Sequence, residues 1–470
     1  MVSHADLLQY ITPVDWVIFF LVLAATLAAV LYGQSLKSKL SEKEKNSTVE
    51  LLLMGRRLTL PIFVATLVAT WYGGIFGVTA LTFEKGIYNF LTQGVFWYIS
   101  YLIFAFCLVK KIRQHQAMTI AGLAGHLFGS KAEKLTASLN FLNLLPLAYT
   151  ISLGLFLQAV FGGTLFINTA IGVTLVTLWS LWGGFRAVVF SDLVQFVFMI
   201  LGVVLVVVFA WAKMGNPLTL VDKLPASHFD WTGGETISAT LVWGFIALST
   251  LVDPNFYQRC LAAESENVAK KGILISTVIW FLFDCCTTLG ALYARAALPD
   301  ANPQNAYLQF SMQLVPAGVR GLILAGILAT ILSTLDAYLF NAATCLSYDF
   351  IKLKERFKVW HHHIALIFVA VLSIFLGVFF DGNVVEVWKT LGSFSAACLL
   401  FPLLLAQWRP GVISEKSFCW AVSLGCFGIV LWRILNHLYN IAPIDEFYIG
   451  LLLTTIPILP AFLLKKPKQV

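Results

Sequence analysis

Charge is scarce in this chain. Lys, Arg, Asp and Glu make up 12% of its 470 residues, about half the share usual in soluble domains. A water-soluble globule of this length needs more charge than that to cover its surface. No stretch offers room for a soluble domain either. The longest non-apolar segments, 33–59 and 212–236, are too short to build a core, which removes kinase, ATPase and receptor-enzyme readings. No Walker-type glycine loop occurs, so ATP is not the expected energy source. The 8 cysteines lie in or beside apolar stretches, without metal-ligand spacing. Cys285 and Cys286 are adjacent and read as small buried hydrophobes. The tract His361 to His363 has no acidic or Cys companions and reads as a surface run.

What is abundant is hydrocarbon: 59% of the residues are hydrophobic. Apolar runs near 20 residues, each long enough to span a bilayer, recur along the whole chain. Thirteen are expected, at 14–32, 60–82, 87–109, 135–160, 164–182, 187–211, 237–257, 272–294, 318–346, 363–380, 385–407, 417–435 and 446–464. The first has no basic segment before it and no small-residue cleavage site after it, so it is expected to stay as an anchor. With the N-terminus outside, the inner loops hold 24 of the 31 Lys and Arg. The 24 include Arg186, Arg259, the group Lys352, Lys354, Arg356 and Lys358, and the group Lys465, Lys466 and Lys468. This bias favours an odd number of spans and a cytoplasmic C-terminus. Topology thus accounts for the net charge of +7, and no nucleic-acid partner is needed.

Polar residues inside the spans are few and therefore informative. The stretch from Trp182 to Gln195, W-G-G-F-R-A-V-V-F-S-D-L-V-Q, opens the sixth span. Asp192 is expensive to place in hydrocarbon and marks a functional site by default, with Gln195 one turn on along the same face. The second span carries Gly73, Gly74 and Gly77 mid-way. The seventh carries Gly244, Ser249, Thr250, Asp253 and Pro254. Carbonyls freed by such breaks are tolerated only in a cavity or beside an ion. Two interrupted helices five spans apart point to an inverted repeat with the binding site between the breaks. In the ninth span Thr330, Ser333, Thr334 and Ala337 share a face. These hydroxyls and a backbone carbonyl suit a hard cation such as sodium. Asp336 follows three residues after Ser333. Asp284 lies near the middle of the eighth span.

Three separated motifs carry a family resemblance. The pattern G-G-x-x-A-V-x-x-[ST]-D-x-x-Q, the run Q-R-x-L-A-A from Gln258 to Ala263 and the S-T-L-D run from Ser333 to Asp336 together resemble the sodium:solute symporter family. The resemblance covers about 400 residues. It implies an all-α membrane protein of about 13 helices, with the LeuT-type five-plus-five inverted repeat and extra flanking helices. The expected organisation is a single transporter domain over 1–470. It has a leading helix at 14–32, repeats at 60–211 and 237–407, and two trailing helices at 417–464. The resemblance also implies a sodium site made by the Ser333 and Thr334 hydroxyls and the Thr330 carbonyl. Thr330 departs from the family's usual Ala. Aligning on Gly77 adds the carbonyls of Leu67 and Thr70. Asp192, with Asp336 as a further candidate, is expected to support a second sodium or the coupling itself, so one or two ions per cycle are expected.

The solute is expected between the breaks, beside Trp71, Tyr72, Gly73, Phe76, Trp97, Trp243, Phe245, Ser249 and Asp284. An acid among aromatic rings suits an amine-bearing solute such as an amino acid; a monocarboxylate, sugar or nucleobase is the alternative. The function expected is therefore sodium-coupled import of a small organic solute by alternating access, without enzymatic chemistry. The chain is expected to act as a monomer in the plasma membrane, or the inner membrane of a Gram-negative cell. The rival is a proton-coupled carrier of the same fold using Asp192, Asp284 and Asp336.

Overall fold

The computed structural model describes residues 7–460 apart from 46, 116, 182, 351–358, 381, 440 and 442–443. Trp182 and the basic residues at 352–358 and 465–468 lie outside the described residues, as does the end of the expected last span, 461–464. The described chain is helical. Its elements are α1 (Pro13–Ser38), α2 (Leu60–Ala69), α3 (Ile75–Lys85), α4 (Phe90–Gln114), α5 (Ser130–Leu144), α6 (Leu147–Phe161), α7 (Leu165–Ser180) and α8 (Gly184–Met214). There follow α9 (Ile237–Leu248), α10 (Pro254–Ala262), α11 (Glu266–Ala297), α12 (Val319–Thr344), α13 (Val359–Gly377), α14 (Val384–Trp408), α15 (Glu415–Tyr439) and α16 (Glu446–Thr455). Among the described residues, 10 helices are long and apolar enough to cross a membrane, counting α5 with α6 and α9 with α10 as one each. The other three expected spans fall on the interrupted pair α2–α3 and on the shorter apolar helices α7 and α16. Large apolar side chains such as Phe20, Leu21, Leu175, Leu282 and Phe427 face outward, as lipid-facing surfaces require.

Both expected breaks are present, the first at Gly73 and Gly74 and the second beyond Gly244. The first runs from Thr70 to Gly74. Gly77 sits inside α3, where a side chain would meet Val384 at 2.9 Å and Trp388 at 3.2 Å. The second is a short tight turn, Ser249–Val252, closed by Asp253. Asp253 Oδ1 accepts from the backbone N–H of Asn255 at 2.8 Å and Phe256 at 3.1 Å. With Pro254 at its first position, α10 therefore starts where its own N-cap dictates. Gly244 lies within α9 and breaks nothing.

The two interrupted helices run antiparallel and are tied at both ends. At one end, the N–H of Leu58 donates to the Ala262 carbonyl at 3.0 Å and that of Glu264 to the Leu58 carbonyl at 3.0 Å. At the other end Lys85 pairs with Glu235. Opposed broken helices side by side are the arrangement an inverted repeat generates.

The packing of α8 on α12 brings the sixth and ninth expected spans together. It depends on two glycines. A side chain at Gly326 would meet the Phe198 carbonyl oxygen at 2.6 Å, and one at Gly202 would meet the Gly326 Cα at 3.4 Å. Small residues allow this backbone approach, which in hydrocarbon supplies much of the association energy. At the start of α8, Gly184 turns the chain with a φ of +62°, a conformation glycine adopts at little cost.

Three expectations need correction. Arg186 and Arg259, counted among the loop charges, are both buried: Arg186 pairs with Glu50 at 2.7 Å and Arg259 enters the core. Their charge is spent on internal partners. His362 is also buried, its ring 4.6 Å from that of Phe340, because α13 turns this residue inward. The cysteines are not uniformly buried either. Cys107 is exposed and Cys285, Cys286, Cys419 and Cys426 are half-buried.

Gly326→Ala should lower the melting temperature in detergent, at a cost of about 1–3 kcal/mol for overpacking against backbone. Gly377→Ala, whose nearest neighbour would be Ile151 at 3.6 Å, should leave it unchanged. Equal melting behaviour of the two would refute the close approach of α8 and α12.

Candidate functional site

At the first break, α12 supplies a row of hydroxyls to the freed backbone. Ser333 donates to the Ala69 carbonyl at 2.7 Å and lies 3.1 Å from the Thr330 carbonyl. Thr334 donates to the Thr330 carbonyl at 3.0 Å, approaches the Ala69 carbonyl at 3.4 Å, and accepts from the Gly73 N–H at 2.8 Å. Ser333, Thr334, Thr330 and Ala337 are all buried. The carbonyl that meets this pair belongs to Ala69. Neither expected carbonyl, Leu67 or Thr70, accepts from this pair; α2 ends at Ala69, with Thr70 as its C-cap. The Thr70 hydroxyl instead donates to the Thr66 carbonyl at 2.7 Å. Gly73 has no room for a side chain, which would meet Thr334 Cβ at 2.5 Å.

A buried charge pair flanks this cluster. Arg259, fully buried, points from α10 into the first break. It donates to the Thr70 hydroxyl and, at 3.3 Å, to the Thr66 carbonyl, and stands 3.7 Å from Asp192 Oδ2. Thr66 donates its hydroxyl to that same oxygen. The Phe185 ring lies 5.6 Å from the guanidinium. One arginine thus joins both broken helices to α8. A lone buried charge costs several kcal/mol, so the pair and its hydrogen bonds stand or fall together. Asp336 lies one turn from Ser333 on α12 and accepts from Ser180 on α7. Two carboxylate oxygens, Asp192 Oδ1 and Asp336 Oδ2, are buried without a protein partner among the described residues, as is Gln195 Oε1.

On the other side of the break lies a cavity of about 120 Å³. Of the expected solute contacts, Trp71, Tyr72, Trp97, Ser249 and Asp284 line it. Asp284 is held by two phenols: Tyr72 donates to Oδ1 at 2.6 Å and Tyr98 to Oδ2. The Trp71 ring leans on Trp280 at 6.1 Å and Phe256 at 5.3 Å. Phe76 and Trp243 line a separate vestibule of about 1150 Å³ at the Lys85 end. Phe245 belongs to neither space. It stacks on Phe447 at 5.1 Å, since α9 turns it toward α16. Trp388 divides the two spaces. It lines the cavity, while Val384 and Lys389 of the same helix line the vestibule. A side chain at Gly74 would fall 1.8 Å from its ring.

The Leu58 end is packed shut. The Asn341 amide donates to Asn255 at 2.7 Å and Gln258 at 2.8 Å, and Gln258 donates to the Leu52 carbonyl at 3.0 Å. Only about 20 Å³ of space remains beside this clasp.

Sequence reasoning missed Tyr98, Tyr149, Tyr338 and Trp388, which carry no distinguishing mark among 38 Phe, 14 Trp and 14 Tyr. It had Arg259 in hand within Q-R-x-L-A-A and assigned it to a loop. The available signal was its position five residues after Pro254, within reach of the break.

Two antiparallel broken helices enclosing a hydroxyl cluster and a cavity define an inverted-repeat transporter of the LeuT type. The sodium:solute symporter family model matches residues 52–411, and the chain belongs to that family, whose members are transporters and not enzymes. The similar curated proteins include the sodium/mannose cotransporter SLC5A10 of Bos taurus, 24% identical over 52% of this chain and 49% of its own length. The sodium/pantothenate symporter of Escherichia coli is 24% identical over 70% of this chain and 65% of its own length. The osmoregulated proline transporter OpuE of Bacillus subtilis is 23% identical over 68% of each. The first of these matches spans about half the length of the relative concerned. A Na+-coupled sialic acid symporter in a substrate-bound outward-open state aligns with a TM-score of 0.78 at 16% identity, covering 98% of this chain and 99% of that one.

Removing either partner of the central pair should destabilise strongly. Arg259→Met and Asp192→Asn are each expected to cost about 3–5 kcal/mol of stability, read as melting temperature in detergent. The double variant should lose less than the two single losses added together. Strictly additive losses would mean that the two charges do not act as a pair.

Proposed function

We propose that the protein imports a small organic solute coupled to sodium by alternating access, with the ion held where α12 meets the first break. The observation that carries this reading is the convergence of the Ala69 and Thr330 carbonyls with the Ser333 and Thr334 hydroxyls. These are hard oxygen donors, the kind that hard cations take, at a place where a helix has released its backbone. Family membership supports sodium as the coupling ion. Asp192 and Asp336, each with a partnerless oxygen, provide for a second sodium, so the count is one or two per cycle.

The vestibule at the Lys85 end and the amide clasp at the Leu58 end fit the outward-facing member of an alternating pair. The Lys85 end then faces the cell exterior, with the N-terminus outside and the C-terminus in the cytoplasm. The chain works as a monomer in the plasma membrane, or in the inner membrane of a Gram-negative cell. The 60–211 and 237–407 segments form its two repeats. An amine-bearing solute fits the cavity, which offers an acid and aromatic rings. The partnerless oxygens of Asp192 and Asp336 favour one second reading, in which the same acids carry protons instead of sodium.

Ser333→Ala and Thr334→Ala should each raise the sodium concentration for half-maximal binding about tenfold or more, since each removes one oxygen ligand. Tryptophan fluorescence of the purified protein, with Trp71 beside the break, provides the readout. Proteoliposomes under imposed gradients separate the driving ions: sodium should drive accumulation and a proton gradient alone should not. Unchanged sodium affinity in both variants would remove the site, and proton-driven accumulation without sodium would favour the second reading.

A further inference from the structure

We infer that the solute held in the cavity is an organic cation with no carboxylate of its own, an inference that rests on reading the chain as a solute carrier. Two carboxylates, Asp284 and Asp253, line the cavity, and among its described lining residues there is no Lys, Arg or His. The two acids are not equivalent. Asp253 spends Oδ1 on the N-terminal N–H groups of α10, where the helix dipole balances negative charge. Asp284 has only neutral donors, Tyr72 and Tyr98. Each carboxylate oxygen has two acceptor positions, so both oxygens retain one after the phenols are served. The phenols fix the carboxylate in place without cancelling its charge. A buried carboxylate calls for an opposite charge, and a cationic solute would supply it.

The surroundings select against an anion. Helix starts at broken helices are natural seats for a carboxylate. At the start of α10 those N–H groups are engaged by the protein itself, Asn255 and Phe256 by Asp253. A zwitterionic amino acid would bring its carboxylate into a space holding two acids and no basic side chain. The walls formed by Trp71, Trp97, Tyr149, Tyr338 and Trp388 suit an ammonium group by cation–π attraction.

The test is calorimetric titration of the full-length protein in lipid nanodiscs, with sodium present, using matched pairs. The probes are choline against glycine betaine and cadaverine against lysine, with galactose and pantothenate as uncharged and anionic arms. At least one cation should bind about tenfold or more tightly than its carboxylate-bearing partner. Asp284→Asn should weaken that binding about tenfold or more, and Tyr98→Phe less. Sodium titrated into Asp284→Asn should bind as in the unmodified protein, which certifies that the variant is folded. The inference is overturned if the carboxylate-bearing partners, galactose or pantothenate bind as well as or better than the cations. It is equally overturned if Asp284→Asn leaves cation binding unchanged, or if no cation binds while sodium still does. Cation binding in a protein that does not respond to sodium would uphold the inference and count against sodium coupling.

Discussion

A helix that stops in mid-membrane leaves carbonyl oxygens in a medium without water, and each such group costs several kcal/mol unless something is brought to it. The rest of this structure is arranged around that obligation at Thr70–Gly74. From one side Arg259 reaches the Thr66 carbonyl and the Thr70 hydroxyl. From the other, Ser333 and Thr334 reach the Ala69 carbonyl. The arginine in turn requires an anion, which places Asp192 on α8. The hydroxyls require α12 to lie close, which requires Gly202 and Gly326 at the α8–α12 crossing. The break, the charge pair and the glycine contact are therefore one construction.

The same construction separates two kinds of acid. Asp192 lies against a guanidinium and a threonine hydroxyl on the first broken helix. Asp284 lies across the break, among phenols and indoles, without a cation. Hydroxyls of α12 and the carboxylate of α11 thus meet the same unwound segment, at Ala69, Gly73 and Tyr72. Anything that binds on either side bears on the conformation of residues 70–74 and so on the other side. Coupling between two ligands needs a shared element of this sort whose equilibrium both can bias.

The broken helices are tied at both ends, by an ion pair at one and backbone bonds at the other, and the two ends differ in how much space they leave. At the Lys85 end, Lys85–Glu235 borders a wide vestibule. At the Leu58 end, backbone bonds and the Asn341–Asn255–Gln258 amides leave almost no space. Amide and backbone hydrogen bonds of this kind are individually modest.

The amino-acid sequence by itself determined the class. Hydrocarbon content, apolar run lengths, the acid at Asp192, the hydroxyls at Ser333 and Thr334 and the two interrupted spans are local properties, each legible because polar groups are rare and costly in a membrane. Tertiary structure alone decided which groups meet. Glycine spacing marks a break only to within a residue, and one residue turns a carbonyl by about 100° around a helix; hence Ala69 and not Thr70 faces Ser333. Arg259 and Arg186 read as loop charges because sequence order does not reveal that a helix end is folded beneath its neighbours. Tyr98 reaches Asp284 across 186 residues of chain. No periodicity encodes such a meeting, because the packing of α4 on α11 is the sum of many weak apolar contacts without direction.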